Sequence, residues 1–304
     1  MSLIILGELQ TGMIYALMAA GLYVTFRILD IPDLTVEGSF TLGMTVTVMI
    51  TSAGYSELAL LIAIAAGACA GLVTAFLQTK VKIQPILSGI ITMTALYSVN
   101  MQIMGGKPNI SLYSAGADTI FIKFERLTGL SANNSKLLLI SLIVAAVIAL
   151  LILFFKTRVG LKIRATGDNE EMVRSSSINA DLTKCLGFAI GNASVALSGG
   201  LLCQYQQYAD INYAVGMVVV GLASIIIGEA FFGRRSVTIG FISVVVGSTA
   251  YRFIIALALQ VKLFDPYWLK FISAVIVVIA LSLPVLKTYF QKLFARLKNE
   301  RGNA

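Results

Sequence analysis

The feature that most constrains this chain is its series of uncharged apolar runs long enough to cross a lipid bilayer. A helix covers the hydrocarbon with about 20 apolar residues, and roughly 17–25 are tolerated. Nine windows without Asp, Glu, Lys or Arg approach that length: Leu9–Phe26, Gly38–Tyr55, Leu58–Thr79, Ile83–Gly106, Leu137–Phe155, Cys185–Ala209, Ile211–Gly228, Val237–Tyr251 and Phe271–Leu286. The last two are short; they extend if Arg252 lies in a packed interior and Lys270 reaches the interface. Hydrophobic residues make up 58% of the 304 residues and charged residues only 12%. A soluble domain averages about 25% charged residues, so this chain lacks the charge to cover a globular surface. A soluble enzyme and a disordered chain are both excluded. The expected class is an all-α polytopic membrane protein of about nine transmembrane segments (8–10).

Lysine and arginine set the orientation. With the tail 287–304 cytoplasmic, nine alternating crossings put the N-terminus outside. The inside segments then hold 16 of the 23 basic residues: Arg27, Lys80, Lys82, Lys156, Arg158, Lys162, Arg164, Arg174, Lys184, Arg234, Arg235, Lys287, Lys292, Arg296, Lys298 and Arg301. The positive-inside rule favours that arrangement. The net charge of +8 therefore reads as topology-setting punctuation, with no patch for nucleic acid. No Lys or Arg precedes the first apolar stretch, so it does not resemble a cleaved signal peptide. The chain has no histidine, which removes imidazole metal sites and histidine-based acid–base or triad chemistry. Cys69, Cys185 and Cys203 sit singly in apolar runs without CxxC spacing and read as small core residues.

The second window begins at a break. Asp30-Ile-Pro-Asp-Leu-Thr-Val-Glu-Gly38 places three acids, a proline and a glycine between two apolar runs. A short loop at the membrane surface fits, and so does a discontinuous helix whose unwound backbone faces a cavity. An internal repeat bears on the choice. Leu6-Gly7, Ala16-Leu17 and Gly21-Leu22 recur as Leu186-Gly187, Ala196-Leu197 and Gly200-Leu201, and Gly38-x4-Gly43 recurs as Gly216-x4-Gly221. The first span runs inward and the sixth outward, so the two repeats are inverted, with halves at about 4–155 and 184–286. That is a recurring transporter architecture, with broken helices and a ligand path between the halves.

Two hydrophilic segments are long enough to carry function: 105–136 outside and 156–184 inside. The inner one is expected to turn at Gly160, form a short helix that stops at Gly167-Asp168-Asn169, and form a second helix over Glu170–Ser177. Asp168 or Asn169 is the expected N-cap, and Gly167 is expected to turn with positive φ. A small helix pair without its own core suits docking to another protein. Arg164 and Glu171 offer charges of opposite sign to fix its register.

These residues carry a resemblance. Gly160-Leu-Lys-Ile-Arg164-Ala-Thr-Gly167-Asp-Asn169 resembles the coupling-loop motif of membrane subunits in ABC importers of the branched-chain amino acid and ribose type. The break Asp33–Gly43, the stretch Ala70–Ile90 and the turn Gly228–Gly240 are similar to the same family, in its order. The run Ile86–Ile110 looks closest to the subgroup assigned to tryptophan and tyrosine uptake. Ser177, before Ile178, stands where that family carries glycine. The resemblance implies that residues 1–304 form one permease domain. It implies an importer of two permeases and two ATPases in a bacterial cytoplasmic (inner) membrane. An extracytoplasmic binding protein feeds it, and a second copy of this chain suits the second permease. Gly160, Arg164, Gly167, Asp168, Asn169 and Glu171 would dock the ATPase. No Gly-x4-Gly-Lys-[Ser/Thr] occurs, so ATP and Mg would bind the partner and this chain would hold no cofactor.

Polar residues within spans are costly and often functional. Glu8 and Gln10 lie near the outer interface, where solvation accounts for them. Asn100, Gln102 and Asn192 suit interhelical hydrogen bonds. Glu229 is expected to pair with Arg234 or Arg235. Arg252 needs a structural partner or, as a second reading, a solute carboxylate. The expected translocation path lines the repeated breaks: Thr35, Glu37, Ser39 and Phe40 in the first half, Asn212 and Tyr213 in the second, with Asn100 beside them. An aromatic amino acid is the expected solute; branched-chain amino acids, nucleosides and sugars are alternatives. An ion-coupled secondary transporter would instead use Glu8 or Glu37 as a carrier.

Overall fold

The computed structural model describes residues 2–260 together with residues 271, 274, 275, 277, 278 and 282. The tail 287–304 and most of the window Phe271–Leu286 lie outside the described residues. Helix α1 (Ser2–Tyr23) runs into a π-helical turn, Val24–Ile28. Then come α2 (Thr35–Ser52), α3 (Ser56–Thr79) and α4 (Pro85–Ile103). After strand β1 (Asn109–Ser111) and the short α5 (Ile120–Thr128) comes α6 (Ala132–Lys156). Helices α7 (Arg158–Asp168) and α8 (Glu170–Ser175) lead into α9 (Ala180–Gln206). Strand β2 (Tyr208–Asp210), α10 (Met217–Phe232) and α11 (Val237–Gln260) complete the described fold.

Six described helices are both long and apolar enough to cross a bilayer, and α10 is a shorter apolar helix. The all-α polytopic class holds. The seventh long run, α2, has 18 residues of which five are threonine, and it falls short of the apolarity of those six. Leucines on α6 such as Leu142, Leu150 and Leu153 are exposed, as a lipid-facing helix requires.

The order α1–α2–α3 recurs as α9–α10–α11 with starts about 180 residues apart. The packing respects the repeat. Helix α3 packs on α9 and α1 on α11, while α2 pairs with α3 and α10 with α11. Helices α1 and α9 run antiparallel. The Ser198 hydroxyl donates to the Ile14 carbonyl (2.7 Å) and the Tyr205 hydroxyl to Gln10 Oε1 (2.8 Å). At their crossing, a Cβ on Gly21 would strike the Gly191 carbonyl, and one on Gly191 would lie 2.9 Å from the Gly21 carbonyl. Small residues give such crossings their close approach, because packing rather than the hydrophobic effect drives helix association in lipid.

One end of the bundle collects the basic residues. Arg27 and Arg234 both bond Glu229 Oε2, at 2.7 and 2.9 Å, and Lys80 reaches Asp181 at 3.5 Å. Glu229 thus pairs with Arg27 as well as with the expected Arg234. The opposite end carries the sheet. Strands β1 and β2 pair antiparallel with Asn109 opposite Asp210, so the segment 105–136 is laid over the end of α9. Gln204 ties that end together, accepting from the Ile120 N–H (2.9 Å) and donating to the Ser56 carbonyl (2.8 Å). Arg252 pairs with Glu8 at 2.9 Å and lies over the Tyr15 ring, while its Nε makes no hydrogen bond. The first reading of Arg252, structural pairing, matches this geometry, and Glu8 is bound rather than left to interface solvation.

Candidate translocation site

The break after α1 starts at exposed Asp30 and passes through half-buried Ile31 and Pro32 to a buried end at Asp33. Asp33 is only 2% exposed, and Leu29 packs against Gly187 within α9. Both readings keep a part: the Asp30 end lies at the basic surface, and the Asp33 end is packed against α9. Non-helical backbone at that depth must be satisfied by protein, and here side chains do so. Asp33 Oδ1 accepts from the Thr35 N–H (2.9 Å), which caps the start of α2. Asp33 Oδ2 accepts from Asn192 Nδ2 (2.8 Å), and Asn192 Oδ1 accepts from the Ser39 hydroxyl (2.7 Å). Asn192 is fully buried near the middle of α9, so one amide fixes both the break and the first turns of α2. The Thr35 hydroxyl meets that of Thr74 on α3 at 2.7 Å.

Beyond this network, a cavity of about 360 Å³ opens between α2, α4 and the segment before α10. Its polar lining includes Glu37, Thr41, Thr94, Ser98 and Asn100; Met93, Tyr97, Ile211 and Val215 supply apolar surface. Glu37 Oε1 accepts from the N–H of Gly216 (2.9 Å), which has φ +91 and stands at the N-cap of α10. The two repeated breaks therefore touch through one carboxylate. A carboxylate is favoured there by the positive ends of both helices.

The expected path residues fall into two groups. Glu37 and Asn100 line the cavity. Asn100 also bonds within the bundle, accepting from Thr45 (3.3 Å) and donating to the Gly38 carbonyl (3.4 Å). Thr35, Ser39 and Phe40 are fully buried in packing. Phe40 stacks on Tyr213 with centroids 6.3 Å apart, and the Tyr213 hydroxyl meets that of Tyr15 at 2.9 Å. Asn212 is exposed in the turn before α10. Asp33, Asn192, Thr74 and Gly216 were not singled out as path residues. The polar residue in the middle of a span and the repeated Gly-x4-Gly were the signals that pointed to Asn192 and Gly216.

At the basic end, α7 and α8 form the expected helix pair, and Asn169 is the N-cap, accepting from the Met172 N–H (2.9 Å). Two expectations about glycine are corrected. Gly160 does not turn; it lies within the first turn of α7, where a Cβ would strike the Phe154 carbonyl. Gly167 is helical rather than at positive φ, and its role is contact: a Cβ there would strike the Ile28 carbonyl. Helix α7 is thus seated directly on the residues that enter the break. The second helix ends at Ser175, and Ser177 carries φ +60, the conformation that suits the glycine expected at that position. Arg164 and Asp168 face a second cavity of about 400 Å³, shared with Arg27, Glu229 and Arg235. Glu171 is exposed. Burial works to raise the Glu170 carboxyl, but bonds from Lys184 (2.6 Å) and Arg174 outweigh it and hold its pKa below the usual range.

A helical membrane bundle with inverted halves, a partly buried break and a cavity between the halves defines the membrane subunit of a transporter. Residues 4–281 match the family described as the branched-chain amino acid transport system / permease component, and the chain belongs to it. It is 36% identical over 294 residues to a tyrosine transport system permease protein of Clostridioides difficile, covering 96% of this chain and 95% of that one. It is 27% identical to a galactose/methyl galactoside import permease protein of Escherichia coli, covering 76% and 67% of the two chains. A probable branched-chain amino acid transport permease protein of Methanocaldococcus jannaschii is 24% identical, with 73% and 75% covered. Among solved structures, one described as a metal-chelate type ABC transporter in an inward-facing conformation shares the fold. Its TM-score is 0.50 at 18% identity, with 93% of this chain and 85% of that chain covered. The chain is therefore an ABC-type permease subunit for a small solute, a multi-pass membrane protein. It is not an enzyme, and ATP hydrolysis lies in a partner subunit.

Proposed function

We propose that this chain forms the solute path of an ATP-driven importer of amino acids in a bacterial inner membrane, with tyrosine or tryptophan as its cargo. The observation that carries the reading is the seating of α7 on the break. The Gly167 backbone lies against Ile28, and the far side of the same break presents Glu37 to the cavity. A partner that moves α7 moves the wall of the path. ATP and Mg act on that partner, and 156–184 is its docking segment, with Gly160, Arg164, Gly167, Asp168, Asn169 and Glu171 as the surface and its supports. The aromatic solute is supported by the near full-length similarity to a tyrosine permease. Sugar permeases among the relatives keep a sugar as the second reading.

An extracytoplasmic binding protein delivers the solute on the side of the paired strands. A second copy of this chain completes the importer, with the apolar face of α4, where Ile90, Ile91 and Tyr97 are exposed, beside the cavity mouth. An ion-coupled carrier is less well supported, because Glu8 is held by Arg252 and Glu37 accepts the Gly216 N–H.

Orientation and docking are tested together. In a background with Cys69, Cys185 and Cys203 replaced by alanine, a cysteine at Ser131 should react with an impermeant thiol reagent in intact cells. One at Ser175 should react only after the cells are opened. The chain should also co-purify with its ATPase and hydrolyse no ATP alone. The reverse labelling pattern would overturn the orientation.

A further inference from the structure

We propose that Arg27 and Glu229 form a charge latch between the two inverted halves, and that α7 releases it by offering each of them a second partner. The latch rests on the proposed function for one point only, that a partner ATPase moves α7. Glu229 lies in the last turn of α10. Its Oε2 accepts from Arg27 Nη2 at 2.7 Å and from Arg234 Nε at 2.9 Å. Arg27 belongs to the first half and the other two to the second, so the bond from Arg27 crosses between the halves. The side chain of Glu229 is 10% exposed and that of Arg27 22%. A pair so far withdrawn from water holds more strongly than a surface pair, and loss of one partner strands the other charge. Arg27 sits in the π-helical turn Val24–Ile28, by which α1 enters the break. Such turns are rare and often stand at functional sites.

The second partners share the cavity of about 400 Å³ at the basic end. With Arg27, Glu229 and Arg234 it is lined by Asp30, Arg164, Asp168 and Arg235, and none of those four makes an ion pair among the described residues. Arg27 Nε is also buried without a hydrogen bond, so its guanidinium has a donor in hand. Arg164 and Asp168 are four residues apart on α7 and therefore share one face of it. That face carries a cation for Glu229 and an anion for Arg27. The seven groups hold four positive and three negative charges whichever partners they take, so an exchange changes the geometry without stranding a charge. Two discrete arrangements of the same charges make a bistable contact, the kind of element that can carry motion between sites. Gly167 lies between the two α7 charges and its backbone is against Ile28, next to Arg27, so a displacement of α7 reaches the latch and the break together.

The importer is reconstituted with its ATPase and binding protein, and ATP hydrolysis and L-tyrosine uptake are both measured. Arg27→Gln and Glu229→Gln should each raise basal hydrolysis, read without loaded binding protein, by about fivefold or more, the lower end of usual coupling effects. Uptake per ATP should fall. A pair with a structural role alone would act in the other direction, lowering the thermal midpoint and reducing hydrolysis and uptake together. The reversed pair, Arg27→Glu with Glu229→Arg, should return basal hydrolysis towards the parent value. A second measurement leaves the latch intact. Asp30→Cys in the first half and Ser236→Cys in the second both line the cavity, and a short thiol-bridging reagent is applied after the three native cysteines are replaced by alanine. Bridging should be high in the resting importer and fall when the ATPase is trapped with ATP and orthovanadate. Basal hydrolysis that is unchanged or lower in both single variants overturns the latch, and so does bridging that is indifferent to nucleotide. A parent that hydrolyses ATP but takes up no L-tyrosine overturns the proposed cargo instead, and hydrolysis and bridging still judge the latch.

Discussion

Asn192→Leu is expected to destabilise the bundle by about 3–5 kcal/mol, since it leaves two buried polar groups short of a partner at roughly 1–3 kcal/mol each. Asn192 is fully buried, and its amide holds Asp33 and Ser39 at 2.8 and 2.7 Å. Leucine has similar volume, so the loss is polar rather than steric. It leaves the Asp33 carboxyl short of a donor and the Ser39 hydroxyl short of an acceptor in a site that excludes water. That is a large part of the roughly 5–15 kcal/mol that stabilises a typical protein. The thermal midpoint in detergent should fall by roughly 10 °C. Asp33→Asn in the same chain should restore part of the loss, because the remaining buried group carries no charge. Additive effects of the two substitutions would show that Asp33 and Asn192 are not coupled.

Gly167→Val is expected to cut coupled transport by about tenfold or more while the membrane helices persist. The new Cβ would strike the Ile28 carbonyl, and the second closest approach is also backbone, at Leu29. Neither can rotate away, so α7 must move off the break. Overpacking of this kind costs about 1–3 kcal/mol, enough to displace a surface segment but not a bundle. Transport should fall by about tenfold or more, since 1.4 kcal/mol already corresponds to a factor of ten. Gly167→Ala should show a smaller defect. The readouts are uptake in proteoliposomes, ATP hydrolysis with and without the loaded binding protein, and the unfolding midpoint of the isolated chain. Normal uptake by the valine variant would remove α7 from the coupling route.

Local chemistry was legible in the sequence. The spans appear as apolar windows because lipid demands them, and α1, α3, α4, α6, α9 and α11 occupy six of those windows. The break was legible from Pro32, Gly38 and the flanking acids, and the helix pair from Asn169 and the acids behind it. The inverted repeat could be read from a few Leu-Gly and Gly-Leu pairs at constant offset. These are short-range patterns. Partners distant in sequence were not legible. Arg252 finds Glu8 and Arg27 finds Glu229 only because α1 crosses α11 and approaches α10. The pairing of β1 with β2 is similar: two three-residue strands leave no alternation to detect. The role of Gly167 was misassigned for the same reason. A glycine required for a close approach looks identical in sequence to one required for positive φ, and only the neighbour at Ile28 distinguishes them.

The same limit shaped the path residues. Thr35, Ser39 and Phe40 share one helical segment with Glu37, but a helix turns by 100° per residue and only part of its circumference meets a cavity. Which part depends on α4 and on the segment before α10. Glu37 and Asn100 face that space, whereas Ser39 points to Asn192 and Phe40 to Tyr213.

The central claim is that ATP hydrolysis on a partner, transmitted through α7 to the break, drives a small amino acid across this chain. The direct test is L-tyrosine uptake into proteoliposomes containing this chain, its ATPase and the binding protein, with no ion gradient. The account predicts accumulation that requires ATP and both partners, and that stops when the ATPase is omitted. Uptake by the chain alone, driven by a proton or sodium gradient and indifferent to ATP, would contradict it.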